Sequence, residues 1–354
     1  MLVYSNPDHY QIEHRYSLNN IVKALWNDRS DEERAQVYGS WVKGFAYTPQ
    51  IENADVALLT YQWNWYVNQD RVAEAIAEIT HAICNGKKTL VFSGGDSPAN
   101  LIHPDVLLFE AGGYRSAQGL HYHSGLPSFL ADYLPIYCEN GIKLRPWSPR
   151  PVIGFCGQAG KAPLRTLFRK ARSLHKNRQF QRGNLKWQPP PFETTSFRSQ
   201  VLAKFINHES VTTNFLLREQ YHAGDDHNKG ALSSQKLAFV ENILNSDYTV
   251  CMRGGGNFSV RFYETLCLGR IPVFIDTDCL LPFADKIPYR ELFPWIEMKD
   301  LPHAADIVAN FHKQLGPDGF IEQQKACRRL WEEHFTPNGF YGDLQDKILE
   351  RIIT

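Results

Sequence analysis

The sequence predicts an α/β chain of two parallel-sheet domains, and three observations carry that expectation. Short apolar, β-branched runs alternate with segments of helical periodicity through most of the 354 residues. The runs open into loops rich in Gly, Asp or Glu, such as SGGDSP after Phe92 and EAGG after Phe109. The alternation pauses at Pro146 to Pro151, PWSPRP, and restarts at Val152, as a linker between two domains would make it do. Length agrees, since a chain of this size exceeds what one average core supports.

In order, Leu2 to Ser5 reads as a strand entering the polar loop NPDHYQIEHRY, followed by a helical pattern through Ile21, Val22 and Leu25. A strand is expected over Ala54 to Leu59. Arg71 to Cys84 sets apolar residues at helical spacing, and Gly86 ends it. Strands follow at Thr89 to Phe92 and Val106 to Phe109. Beyond the linker, Val152 to Cys156 is a strand ending in GQAG. From Lys161 to Lys204 there are eleven Lys or Arg against one acidic residue, Glu193. This is either a solvated basic helix and loop or a platform for an anionic acceptor or lipid surface. Gln188 to Glu193, QPPPFE, is too rich in proline for a helix or central strand. The last third reads as a loop, LLPFADKIPY, a short strand near Trp295 to Met298, and helices over Ala304 to Leu315 and Ile321 to His334. These bounds give domains at 1–147 and 148–335. An amphipathic helix over 336–354 is expected to pack back on the first domain.

Composition narrows the function. A formal net charge of zero argues against a generic nucleic-acid binder, which needs a basic surface to release counterions. Seven cysteines without a CxxC pair read as reduced thiols of a cytosolic protein. The opening MLVYSNPDHY lacks the pattern of a signal peptide, and no window of about 18 residues is apolar enough to span a bilayer. The expected location is cytoplasmic, with the basic segment 161–204 as a contact for the inner face of a membrane.

The stretch most informative about chemistry is Asp247 to Asp278, DYTVCMRGGGNFSVRFYETLCLGRIPVFIDTD. An apolar run, Tyr248 to Met252, breaks at Gly254, Gly255 and Gly256. A helical pattern starts at Ser259, and a second apolar run covers Ile271 to Ile275. Glycines allow positive φ and close approach to a ligand, and the first amides of the helix lack internal partners, so the turn suits an anion. Arg253 and Arg261 flank the turn as a bidentate clamp for a diphosphate, Ser259 is placed to cap the helix, and Glu264 to accept bonds from ribose hydroxyls. The plainer reading is a glycine-rich corner with solvated arginines.

The run RGGGNFSVRFYETLCLGRIPVFIDTDCLLPF resembles the donor-binding motif of exostosin-like glycosyltransferases, glycosyltransferase family 47: an Arg-Gly, a Ser-x-Arg, a following Glu, then Gly-x-Ile-Pro-Val. The order YQIEHRY, YTPQIENADVALLTY, TLVFSGGDSP is similar to the first half of that family. The resemblance implies a glycosyltransferase B fold, two Rossmann-like domains facing across a cleft. It implies inversion at the anomeric carbon, no catalytic metal and no cofactor, with a uridine diphosphate sugar as the expected co-substrate. Its partners would be that donor and a glycan, lipid-linked or small-molecule acceptor. Carried over, Arg253, Gly254, Gly255, Gly256, Asn257, Ser259 and Arg261 hold the diphosphate and Glu264 the ribose. Gly157 and Gln158 would lie near the same cleft, and Arg218, in NFLLREQYHAG, is a further candidate for the pyrophosphate.

An inverting displacement needs a base from a strand-end loop of the first domain. Asp96 is the leading candidate and Glu13 the second, with Asp8, His9 and Glu110 open. Three rivals remain. A dehydrogenase fits Gly254, Gly256 and Asp276, but Ser259 stands where a small residue would allow close packing. A metal-dependent transferase fits Asp276-Thr277-Asp278. A non-catalytic binder of a sugar nucleotide or glycan fits the same motif.

Overall fold

The computed structural model describes residues 1–26, 29–101, 103–117, 122–139, 141–159, 163–190, 193–218 and 234–353, with the side chains of 163–170 and 351–353 excepted. Gly160 of the GQAG loop, residues 191 and 192 of the proline loop, and the stretch following Arg218 lie outside them.

The N-terminal domain runs β1 (Leu2–Tyr4), α1 (Asn20–Leu25), α2 (Asp31–Tyr38), β2 (Ala46–Tyr47), β3 (Val56–Leu58), α3 (Trp63–Asn68), α4 (Val72–Cys84), β4 (Thr89–Ser93), β5 (Val106–Glu110), β6 (Tyr122–Gly125) and α5 (Leu134–Tyr137). Among the described residues its strands form one parallel sheet in the order β2-β1-β3-β4-β5-β6. The C-terminal domain runs β7 (Val152–Gln158), α6 (Pro163–Gln181), α7 (Thr194–Leu202), β8 (Thr212–Arg218), α8 (Ser234–Leu244), β9 (Tyr248–Cys251), α9 (Val260–Cys267), β10 (Ile271–Asp276), α10 (Tyr289–Leu292), β11 (Trp295–Glu297) and α11 (Ala304–His334). Its parallel sheet has the order β11-β10-β9-β7-β8. The central strands β4, β5, β9 and β10 are buried throughout, which is why they read as continuous apolar runs rather than alternating ones.

The order has a consequence for function. In each sheet the first strand sits between the next two, so the chain moves to one side of β1 or β7 and then to the other. Such a reversal leaves a crevice outside the carboxyl ends of the strands, the usual place for a ligand in an open α/β sheet.

A last helix, α12 (Pro337–Ile353), returns the chain to the N-terminal domain. Trp41 stacks on Tyr341 with ring centroids 3.9 Å apart, the backbone amide of Trp41 donates to Asn338 Oδ1 at 3.1 Å, and Gln345 Nε2 donates to Gly44 O at 2.5 Å. Phe340 packs edge-on against Phe109 and Phe129, so the helix shares a core with the first sheet. Upstream, α11 is broken at Gly316, whose φ of +60° only glycine adopts freely, just before Pro317.

Two parallel-sheet domains with a crossing C-terminal helix and a cleft between them make the glycosyltransferase B architecture that the sequence resemblance implies. No helix among the described residues is long and apolar enough to cross a membrane. All seven cysteines are free, and burial pushes the Cys251 and Cys279 thiols up to about 12, so both stay neutral packing groups.

Candidate active site

A cavity of about 650 Å³ opens at the reversal point of the second sheet. Its wall is built from the end of β7 (Cys156 to Gln158), the turn after β9 (Gly254 to Gly256), the start of α9, and one residue of the N-terminal domain, Asp96. Arg198 from α7, Arg218 from the end of β8 and Lys236 from α8 also face it.

The turn forms because the buried strand β9 ends in three glycines and α9 begins at once, with Ser259 at the N-cap position. The sequence anticipates glycines for positive φ there, but none of the three has one. At Gly255 and Gly256 the requirement is room. A Cβ on Gly255 would lie 2.6 Å from Asp96 Oδ2, and one on Gly256 would lie 2.8 Å from Asp96 Cα and 2.6 Å from Phe258 Cε1. Gly255 and Gly256 let the Asp96 loop of one domain approach the turn of the other.

Ser259 is nearly buried and its hydroxyl makes no capping bond. Among the described residues the amides of Val260 and Arg261 have no hydrogen-bond partner either. The helix thus presents open donors and the positive end of its dipole to the cleft.

Arg261 lies over the Phe155 ring at 4.2 Å, and Nη2 donates to Cys156 O at 2.6 Å. Its Nε is buried without a hydrogen-bond partner among the described residues. Burial pushes this guanidinium below its ordinary value, as expected of a desolvated cation. Gly157 is needed beside it, since a Cβ there would meet Arg261 Nη2 at 2.8 Å. Arg218 donates to Gln235 O at 2.9 Å, and Arg198 reaches Gln158 O at 3.5 Å. Glu264 on α9 accepts from Lys236 Nζ at 2.9 Å and from the Tyr133 hydroxyl at 3.1 Å. Three arginines and a lysine therefore face two carboxylates, Glu264 and Asp96, across one cavity. Such an excess of guanidinium donors suits a ligand carrying more than one negative charge.

The sequence pairs Arg253 with Arg261 as a clamp, and here the structure differs. Arg253 is 3% exposed and does not line the cleft. It donates from Nη1 to the Tyr114 hydroxyl and Asn257 Oδ1, both at 3.1 Å, and from Nη2 to Gly255 O at 3.3 Å. Asn257 in turn donates to Gly113 O at 3.1 Å and Asp278 O at 2.9 Å. Both residues hold the glycine turn from behind and tie it to the first domain. The position of a second cationic group falls to Arg198 and Arg218. Arg198 belongs to the basic segment, and Lys236 follows the stretch that lies outside the described residues. Neither stands near a recognisable motif, so the basic run was the only signal for Arg198.

Asp276 and Asp278 are also engaged. Arg115 Nη2 donates to Asp276 Oδ2 at 2.9 Å, and Ser116 donates to Asp278 from its amide at 3.1 Å and from its hydroxyl. Among the described residues no group of three or more His, Cys, Asp or Glu is placed to hold a metal ion.

Of the candidate bases, Asp96 is exposed on the cleft wall. Glu13 sits on an exposed turn, Ile12–Ser17, outside it. His9 bonds Glu78 through Nδ1 at 2.5 Å, and that bond raises its pKa. Asp8 follows Asn6, whose side chain accepts from the Asp8 amide at 3.1 Å. Glu110 is buried, accepting from the Ala99 amide at 2.6 Å and bonded to His123 Nε2 at 2.6 Å. It thereby anchors the far end of the loop that carries Asp96.

A cleft of this charge between two α/β domains has the chemistry of a site for an anionic ligand. Comparison adds a likeness over part of the chain: residues 179–311 match the Exostosin GT47 domain, and that part supplies Arg198, Arg218, Lys236, Arg261 and Glu264. It is 35% identical over 72 residues to a probable glucuronosyltransferase of Oryza sativa subsp. japonica, covering 20% of this chain and 17% of that one. It is 29% identical over 87 residues to a probable beta-1,4-xylosyltransferase of Arabidopsis thaliana, covering 25% of this chain and 20% of that one. The matches thus span a fifth or less of these relatives' own length. Among solved structures, Thermobaculum terrenum O-GlcNAc transferase aligns over 99% of this chain and 67% of that one, at 10% identity and a TM-score of 0.41. The trehalose 6-phosphate synthase of Burkholderia multivorans aligns over 96% and 81%, at 8% identity and a TM-score of 0.38. Likenesses this distant carry nothing over to the chain.

Proposed function

We propose that the cleft binds a nucleoside diphosphate sugar, with uridine as the expected base, and that the chain transfers the sugar with inversion to a hydroxyl of a glycan, lipid-linked or small-molecule acceptor. The observation that carries this reading is the meeting of Arg198, Arg218, Arg261 and Lys236 with the open amides of α9 at the reversal point of the sheet. The names of the relatives, sugar transferases with glucuronosyl and xylosyl donors, agree with it.

In this reading the diphosphate lies on the glycine turn and the first amides of α9. Glu264 accepts from the ribose, and the sugar extends toward Asp96. The acceptor oxygen attacks the anomeric carbon from the side opposite the leaving diphosphate and its proton passes to the Asp96 carboxylate. The carbon–oxygen bond to the diphosphate breaks, and the electron pair leaves on the phosphate, where the guanidiniums and amides meet it. That cationic set is the argument for transfer without a metal ion, since charge on the leaving group is already matched. Exposed Arg172, Lys176 and Arg178 of α6 offer a basic face to an anionic surface such as a membrane, a contact that would weaken with salt.

The test is turnover of uridine diphosphate sugars by the full chain, with and without EDTA, in wild type and Asp96→Asn. The reading expects product with inverted configuration, indifference to EDTA, and loss of transfer in Asp96→Asn with nucleotide affinity kept. Binding with neither hydrolysis nor transfer would make the protein a non-catalytic binder. Full turnover in Asp96→Asn would remove that residue from the mechanism.

A further inference from the structure

Glu264 is held from one side only. Both of its described hydrogen bonds, from Lys236 Nζ at 2.9 Å and from the Tyr133 hydroxyl at 3.1 Å, end on Oε1. Among the described residues Oε2 has no hydrogen-bond partner, although the side chain is only 10% exposed and lines the cleft. The holding groups are themselves fixed. Lys236 Nζ also donates to the Tyr133 oxygen at 2.6 Å and lies over the Tyr133 and Phe239 rings at 4.5 and 5.0 Å. Burial, and then the charge of Glu264, raise the Tyr133 phenol, so it remains a proton donor at any physiological pH. Tyr133 comes from the segment that joins the two sheets, and that segment is pinned down. Its own amide donates to Cys267 Sγ at 3.3 Å, and the neighbouring Asp132 takes a bidentate pair from Arg328 at 2.8 and 2.7 Å.

An ionised carboxylate accepts and never donates, so Oε2 selects a ligand group that carries hydrogen. A phosphate oxygen in that position would be repelled, whereas a hydroxyl would be bound. Glu264 lies four residues along α9 from Val260, about 6 Å of helix rise. That is the separation at which a diphosphate on the helix start would place the hydroxyls of an attached ribose.

We propose that Tyr133 and Lys236 lock Glu264 so that Oε2 reads the ribose hydroxyls, which makes this pair the device that selects ribonucleotide over deoxyribonucleotide donors. The inference rests on the cleft being a nucleoside diphosphate site and adds to it two positioning residues and a specificity. It also gives the interdomain segment a part in the donor site, through Tyr133.

The experiment is calorimetric titration of the full chain with UDP and GDP and with their 2′,3′-dideoxy forms, in wild type, Tyr133→Phe, Lys236→Met and Lys236→Arg. A hydrogen bond to a charged acceptor, left unmade, changes affinity by about 10- to 100-fold, so wild type should prefer the ribose form by that factor. Tyr133→Phe keeps the ring and removes the hydroxyl; it should shrink the preference to a few-fold while leaving affinity for the dideoxy form nearly unchanged, whereas Lys236→Met, which also takes a cation from the cleft, should shrink the preference and weaken both forms. Lys236→Arg should retain part of it. A purely structural role would weaken both nucleotides equally and leave the ratio intact. That outcome, or a wild-type protein that binds both forms alike, overturns this inference and leaves the nucleotide site standing. If wild type binds none of the four nucleotides, the reading of the cleft falls, and the inference with it.

Discussion

The two sheets reverse in the same way, yet their two crevices differ in kind. Where β7 and β9 part, the cavity is about 650 Å³ and is walled by three arginines and a lysine. Where β1 and β3 part, the cavity is about 120 Å³, and its charges satisfy one another. There Glu78 takes His9 Nδ1 at 2.5 Å, the Thr60 amide at 3.2 Å, the Thr60 hydroxyl at 2.8 Å, and the Tyr66 hydroxyl as well. Topology supplies a crevice in each domain; side chains decide which one has charge left to offer a ligand. The first crevice has an excess of cations around open amides, and the second is a closed network that stabilises its own loops.

This contrast can be broken in several ways. The largest expected effect falls on the packing that holds the two edges opposite each other. Trp41→Ala removes the ring stacked on Tyr341 and should cost about 3–5 kcal/mol of stability, read as a fall in the denaturation midpoint. Unchanged stability would mean that α12 does not set the domain arrangement. Next, Arg261→Met should lower nucleoside diphosphate affinity by roughly 100-fold through the loss of two charge-assisted bonds, whereas His9→Ala in the other crevice should leave it unchanged. Equal losses in titrations of both variants would erase the difference between the crevices. Gly255→Ala places a methyl 2.6 Å from Asp96 Oδ2. Since a displacement near 1 Å at a reacting group costs up to about 100-fold, kcat should fall by roughly ten- to a hundredfold with binding less affected.

The smallest effect is a pH dependence. Burial raises the Asp343 carboxyl, but His334 and Lys286, each bonded to it at 2.5 Å, lower it further, and the net value lies below the ordinary one. A depressed folded-state value means stability that is present above the unfolded value, near pH 4, and is lost as pH falls through the folded one. The denaturation midpoint should therefore drop below about pH 4, and Asp343→Asn should flatten that drop; an identical profile in the variant would show that the α12 contact carries none of it.

Much of the fold was legible in the sequence because it rests on local pattern. The buried strands β4, β5, β9 and β10 are unbroken apolar runs, α4 is a regular amphipathic segment, and three glycines mark the turn before α9. The direction of a side chain at a strand end is a different matter. Arg253 and Arg261 look equivalent on either side of the turn, but one points back toward Tyr114 and the other lines the cleft. Nothing local announces the Tyr114 partner, 139 residues away. The same holds for Asp276 and Asp278, whose Asp-x-Asp spacing suggests a metal site until Arg115 and Ser116 are brought to them by the first domain. Lys236 and Tyr133 were invisible for that reason too, since 103 residues separate two groups that meet at 2.6 Å.

The central claim, that the crevice between β7 and β9 is a nucleoside diphosphate sugar site, is tested most directly by thermal denaturation of the full chain against uridine and guanosine diphosphate sugars. At a ligand concentration a hundred times the Kd, mass action contributes about 2.7 kcal/mol, a clear rise in Tm. The account predicts a saturable rise with at least one of these sugars, unaffected by EDTA and absent in Arg261→Met. No rise with any of them, or a rise that survives in Arg261→Met, would contradict it.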